Sequence, residues 1–278
     1  MNAESFMPIV QGLLGGAVSA GVFKGPITSL QDWWYVNYGH DFSKTADLLK
    51  VEREVSVEKL KRELLEEASK IKPENIKEPK LNILGPALEA SRYFIEEEPL
   101  RIMFAKLIAS SMDSSKDNYI HPSFVEIIKQ MNPIDADNML NIHLNGNEGS
   151  ICEIKADFST GGYHKLFTNI YLGNPNQRNQ SLIGPSLENL KRMGLIKIDY
   201  QEFYTNEAVY DVFKNTEEYS SAAEYIIRTN AEHDRNREIN SRNPQIISTD
   251  LPVLTGPELQ KGILKVTPYG VNFCAACL

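Results

Sequence analysis

The sequence predicts a mainly α-helical protein with a small β component, a helical bundle followed by a winged-helix-like C-terminal part. Three observations carry this. Apolar residues recur at helical spacing in segments that begin at prolines. Cys152, Ile154, Ala156 and Phe158 alternate as in a half-buried strand. A helix-like run from Ser186 to Met193 stops at Gly194 and turns into the strand-like Leu195-Ile196-Lys197-Ile198.

The domain reading follows: an apolar, glycine-rich segment over 1–26, a helical domain over 27–145, and an α+β domain over 146–278 with an insertion at about 199–257. With 278 residues, 42% hydrophobic and 24% charged, the chain can bury a core without disulfides or metals.

Phe6 to Phe23 carries no charge. Gly12 and Gly16, and Ala17 and Gly21, are small residues four apart, the spacing that lets helices approach closely. Glycine makes the segment a poor helix alone, so it predicts a partner or a membrane. Glu4 is the single charge before Lys24, so a signal peptide's basic n-region is lacking, although Val18-Ser19-Ala20 resembles a cleavage site. Trp33, Trp34, Tyr35 and Tyr38 form an aromatic cluster suited to a bundle core or to a membrane interface. Gly12, Gly16, Gly21, Trp33 and Trp34 are therefore the candidate residues for self-association or membrane contact.

Val57, Leu60, Leu64, Ala68 and Ile71 form one apolar stripe, with Glu58–Arg62, Lys59–Glu63 and Glu66–Lys70 spaced as flanking ion pairs. Pro86 suits the first turn of a helix with Leu88, Ser91 and Ile95 inward, and Pro99 that of the next, with Leu100, Met103, Phe104, Leu107 and Ser111 inward. His121-Pro122 opens a third, with Phe124, Ile127, Ile128 and Met131 inward. Asn132-Pro133 opens a fourth, with Asn132 as cap and Asp135 near the positive helix start. After the strand at 151–158, a second is expected over Tyr163–Leu172, and a returning one over Gly262–Thr267. The intervening insertion holds a helix over Glu217–Arg237 and a loop over 240–252, and a short helix with Phe273, Ala276 and Leu278 ends the chain.

The net charge of −8 lacks the basic footprint of a duplex reader. On the expected recognition helix, Lys191 and Arg192 stand against Glu188, so no specific DNA binding is expected. Three cysteines, Cys152, Cys274 and Cys277, fit a reducing compartment better than a disulfide framework. Cys274 and Cys277 could form half a zinc site, but small core residues fit them better.

His121 is the most conspicuous polar residue, with Asp113, Asp117, Ser110 and Ser111 near it in sequence. A serine–histidine–aspartate set would need a nucleophile elbow and oxyanion donors, and no Gly-x-Ser-x-Gly occurs. A cap or packing role is the simpler reading. Asp113 to Asn118 echoes a calcium loop, but Asn118 replaces the glycine and Phe124 the bidentate glutamate. Phosphate loops and the His-Glu-x-x-His zinc motif are absent. No catalytic residue, cofactor or metal is assigned.

Three stretches together, Leu84 to Tyr93, Leu107 to Asp113 and His121 to Gln130, resemble the abortive-infection alpha family. Leu187 to Ile196 and Leu264 to Gly270 are similar to it as well. The resemblance covers the chain from about Asn75 onward, and His121 to Gln130 is its most specific piece. It implies bacterial defence against phage and supplies no catalytic residues. Asp113, His121, Pro122 and Phe124 are its motif residues of unknown role.

The reading is a non-enzymatic defence effector, cytoplasmic or peripheral to the inner membrane. It would be a homo-oligomer with a phage or host protein as candidate partner. A winged-helix nucleic-acid regulator and a hydrolase centred on His121 are the alternatives.

Overall fold

The computed structural model describes residues 47–241 and 252–278. The glycines and tryptophans assigned to self-association or membrane contact, and most of the loop expected over 240–252, lie outside them. The chain divides into two compact units, one ending at Leu140 and taking up Pro268–Leu278, the other running from Asn141 to Thr267. It is mainly helical, with one four-stranded antiparallel sheet.

In the first unit, helix α1 spans Asp47–Ser69, α2 Leu81–Ser91, α3 Glu98–Ser111, α4 Phe124–Lys129, and α9 closes the chain over Pro268–Cys277. Helix α3 touches α1, α2, α4 and α9. A helix with neighbours around it needs apolar residues around it, and Leu100, Met103, Phe104, Leu107 and Ile108 are all 2% exposed or less. The predicted stripe of α1 is borne out at Leu60, Leu64 and Ala68, which are buried.

Of its flanking pairs, Glu66–Lys70 forms at 3.8 Å, and the other two differ from the simple spacing. Glu58 bonds Lys61, and Glu63 reaches Arg101 of α3 instead of Lys59. Arg101 is 3% exposed. Its Nε lies 3.1 and 3.0 Å from the two Glu63 oxygens, its Nη2 lies 2.9 Å from one of them, and its Nη1 donates to the Ile95 carbonyl. A buried guanidinium is tolerable only with such compensation.

Pro86 lies inside α2, not in its first turn. A proline inside a helix costs about 3 kcal/mol. Extending α2 upstream buries Ile83 and Leu84 to 1% exposure, worth about 1.5–3 kcal/mol each, so burial wins.

Helix α5, Pro133–Leu144, starts as expected. Asn132 Oδ1 accepts from the Asp135 N–H and Asp135 Oδ2 from the Asn132 N–H, both at 2.9 Å, a reciprocal cap.

In the second unit, β1 (Glu148–Phe158), β2 (Tyr163–Tyr171), β3 (Ile196–Asp199) and β4 (Leu254–Val266) form a sheet in the order β2-β1-β4-β3. Strand β4 is longer than the predicted Gly262–Thr267 because it pairs with β1 along its length. Pro257 is accommodated beside an irregularity between Ala156 and Phe158.

Helix α6 (Gln180–Arg192) starts upstream of the expected Ser186 and carries Pro185 internally. Burial of Ile183 and a backbone-like pair, Gln180 Oε1 with the Tyr171 N–H and Nε2 with its carbonyl, extend it. Gly194, at φ 74°, ends it, and Leu195 N–H returns to the Leu190 carbonyl.

The polar insertion forms a short helix α7 (Ala208–Asp211) and the long α8 (Glu217–Ser241). Cys152, Ile154 and Ile170 pack with Tyr210, Phe213 and Ala222, so α7, the turn after it and α8 cover one sheet face. Tyr200 crosses Gly262, where a Cβ would stand 2.6 Å from its ring.

Candidate functional site

His121 sits in the turn entering α4, exposed, with Pro122 exposed and Phe124 fully buried. The His121 Nδ1 accepts the Ser123 backbone N–H at 3.2 Å and lies 2.6 Å from Ser123 Oγ. A nitrogen that accepts a backbone N–H carries no proton itself, so the Ser123 hydroxyl donates to the same nitrogen. The Tyr269 hydroxyl of α9 closes on Ser123 Oγ from the other side, across 146 residues of sequence.

Aromatic rings fix the arrangement. Phe124 lies 5.3 Å from Tyr269 and 5.3 Å from Phe273, and His121 meets Tyr269 edge-on at 6.1 Å. Such pairs hold their geometry beyond simple area burial. The site is thus a Tyr–Ser–His hydrogen-bond chain above an aromatic floor.

A hydroxyl facing a histidine nitrogen is half of a nucleophile pair. Here the nitrogen is shared with the turn's own N–H, so His121 also caps the entry to α4. The serines and aspartates considered from sequence are engaged elsewhere. Ser110 Oγ donates to the Ala276 carbonyl and Ser111 Oγ to Ile108. Asp113 Oδ1 accepts the Ser115 N–H and hydroxyl. Asp117 pairs with Lys77 and Lys80, and the lysine hydrogen bonds hold its carboxyl below the usual range.

Ser123 and Tyr269 stood in the stretches quoted for the family, but nothing local to either predicts their meeting. A histidine two residues before a serine is the one local signal for the turn.

The second unit carries a polar network that sequence reading missed. Glu153, 6% exposed, takes Lys165 at 2.7 Å. Tyr200 donates to Asn169 Oδ1 at 2.8 Å, and Asn169 Nδ2 donates to Glu188 at 2.7 Å, linking β2 to α6. Asn169 holds φ 54°, a left-handed backbone that asparagine tolerates. Burial pushes the Tyr200 phenol well up, with Glu153 nearby adding to the shift. Burial also pushes the Cys152 and Cys274 thiols up to about 12 and Cys277 well above its ordinary value. Among the described residues, no cluster of three His, Cys, Asp or Glu could hold a metal, and no helix is long and apolar enough to cross a membrane.

Fold and site together define a mainly helical protein with a small antiparallel sheet and a histidine-centred turn bound to its closing helix. Residues 52–277, most of the chain, match the abortive infection alpha family. The chain belongs to that family. No curated protein and no solved structure matches it.

Proposed function

We propose that this protein acts in abortive infection, arresting the infected cell before phage is released, and that it does so without catalysis, through contacts with protein or membrane. The family match over residues 52–277 carries the defence reading. The use of His121 as a turn cap, with its Nδ1 already bonded to the Ser123 backbone, supports the non-enzymatic mode.

In this reading α6 with β3 and β4 is a winged-helix-like unit whose hairpin carries the insertion. Lys191 bonds Glu188 and Arg192 bonds Asn189. Cations engaged within their own helix favour a protein-docking platform over a duplex reader.

Phage plating on cells carrying wild type, His121→Ala and a deletion of residues 1–26 tests the proposal. Wild type lowers plating efficiency and collapses the culture at high phage dose. A folded His121→Ala retains defence, whereas the deletion loses it together with solution oligomer mass or membrane association. Loss of all defence in a folded His121→Ala, with assembly unchanged in the deletion, would overturn the non-enzymatic reading.

A further inference from the structure

Helix α5 ends at Leu144, and the one Asn-Gly step of the sequence, Asn145-Gly146, follows it. The helix stops in a Schellman closure. The Gly146 N–H bonds the His143 carbonyl at 3.1 Å, and the Asn147 N–H bonds the Ile142 carbonyl at 3.0 Å. Gly146 stands at φ 89°, a backbone that favours glycine, with open space where a Cβ would be.

The glycine that makes this stop also exposes Asn145 to attack by its own main chain. No side chain shields the Gly146 nitrogen, so it can reach the Asn145 side-chain amide whenever the turn opens. Gly146 N gives its proton to hydroxide and bonds to Asn145 Cγ. The Cγ–Nδ2 bond breaks, and Nδ2 leaves as ammonia with a proton from water. The succinimide ring then takes up one water and opens to aspartate or, through its other carbonyl, to isoaspartate. Water is the single co-reactant, and both residues are exposed to it.

Two bonds of the fold hold the step back. The proton that the nucleophile must lose is engaged by the His143 carbonyl, and the leaving Nδ2 donates to the Gly173 carbonyl at 3.1 Å. The product undoes the arrangement that restrained it. A carboxylate has no proton to offer Gly173, and its charge stands at the negative end of α5. Isoaspartate also adds a main-chain carbon at the turn where Gly146 and Asn147 bond back to the helix.

We propose that Asn145 is a deamidation site gated by the α5 stop, and that its conversion loosens that stop in one direction only. The chemistry is independent of how the protein carries out defence.

The test incubates the full-length protein at mildly alkaline pH, folded and in guanidinium chloride. Peptide mapping then separates asparagine, aspartate and isoaspartate at 145. Conversion is expected in both samples, slower in the folded one by about ten- to a hundredfold, because the reaction waits for local opening. Asn145→Gln, whose longer side chain would have to close a six-membered ring, forms no product at 145 over the same period. Asn145→Asp carries the charge without the reaction. Its Gly146 and Asn147 amides should exchange hydrogen about tenfold faster than in wild type, while the Leu107 amide in α3 keeps its rate. Equal conversion rates in the folded and unfolded samples would overturn the gating. No folded-state product after about a thousand unfolded-state half-times would overturn the site, since opening would then be too rare to matter. Unchanged exchange at Gly146 and Asn147 in Asn145→Asp would overturn the loosening of the stop.

Discussion

Replacing Glu63 by glutamine strips the negative charge from the α1–α3 contact while keeping its shape. Arg101 stays where it is, 3% exposed, because α3 cannot turn without unpacking Phe104 and Leu107. The guanidinium keeps its bond to the Ile95 carbonyl but loses the charge-assisted pair with both Glu63 oxygens. Removing one partner of a buried ion pair costs about 3–5 kcal/mol. The Glu63 side chain is 16% exposed, so water can reach the vacated acceptor, which places the expected loss near the lower end, about 3 kcal/mol. With a urea slope of about 2 kcal/mol per molar, the midpoint of the affected transition falls by about 1.5 M. Equilibrium urea unfolding followed by circular dichroism measures this. A paired change, Glu63→Leu with Arg101→Met, should recover most of the loss, because apolar packing can replace a buried ion pair. If Glu63→Gln costs less than about 0.5 kcal/mol, the value of a surface pair, then Arg101 is hydrated and the central-helix argument fails.

Two further outcomes follow from the same geometry. The native protein should react negligibly with a thiol reagent at pH 8, where a thiol pushed up to about 12 is ionised in roughly one molecule in ten thousand. All three cysteines should then label on unfolding; rapid native labelling of any one would contradict its burial. For Asp117, the lysine hydrogen bonds lower the folded pKa, so its contribution is present above the unfolded value and fades as pH falls through the lower, folded one. Asp117→Asn should therefore be slightly less stable than wild type at neutral pH, by an amount that shrinks with added salt. The difference should close in strong acid, and a gap that widens there would reverse the sign of the argument.

Local chemistry made much of this fold legible before any coordinates. The Asn132–Asp135 cap, the Gly194 stop, the Leu60–Leu64–Ala68 stripe and the alternation of β1 depend on residues within a few positions of one another. What stayed hidden depended on distant partners. Pro86 read as a helix start and Ser186 as the first residue of the later helix, yet burial of Ile83, Leu84 and Ile183 carried both helices upstream. The spacing predicts a returning strand over Gly262–Thr267 alone, yet β1 supplies a partner that carries β4 back to Leu254. At the candidate site, His121 and Phe124 stood out in sequence, whereas Tyr269 became part of it only when α9 folded back onto α4. Nothing local predicted the meeting of Asn169, Glu188 and Tyr200, since their network joins a strand, a helix and a loop.

The polar insertion illustrates why composition alone misjudges a segment's importance. Residues 200–253 look like a solvated excursion between two strands, and much of α8 is exposed. Yet strand β3 covers β4 only at residues 263–266, leaving the rest of that edge without a strand partner. Side chains from the insertion do the work a further strand would do. Asn230 bonds both the N–H and the carbonyl of Leu254, at 2.9 and 2.8 Å. Tyr219 donates to the Pro257 carbonyl at 3.1 Å and Tyr210 to the Gly262 carbonyl at 2.9 Å. An open strand edge invites pairing with another chain, and backbone groups left unpaired in a buried setting cost free energy. The same residues place Tyr210, Phe213 and Ala222 against Cys152 and Ile154. The insertion therefore supplies both the cover for one sheet face and the seal for its edge, and β1–β4 pairing and α8 docking should be lost together.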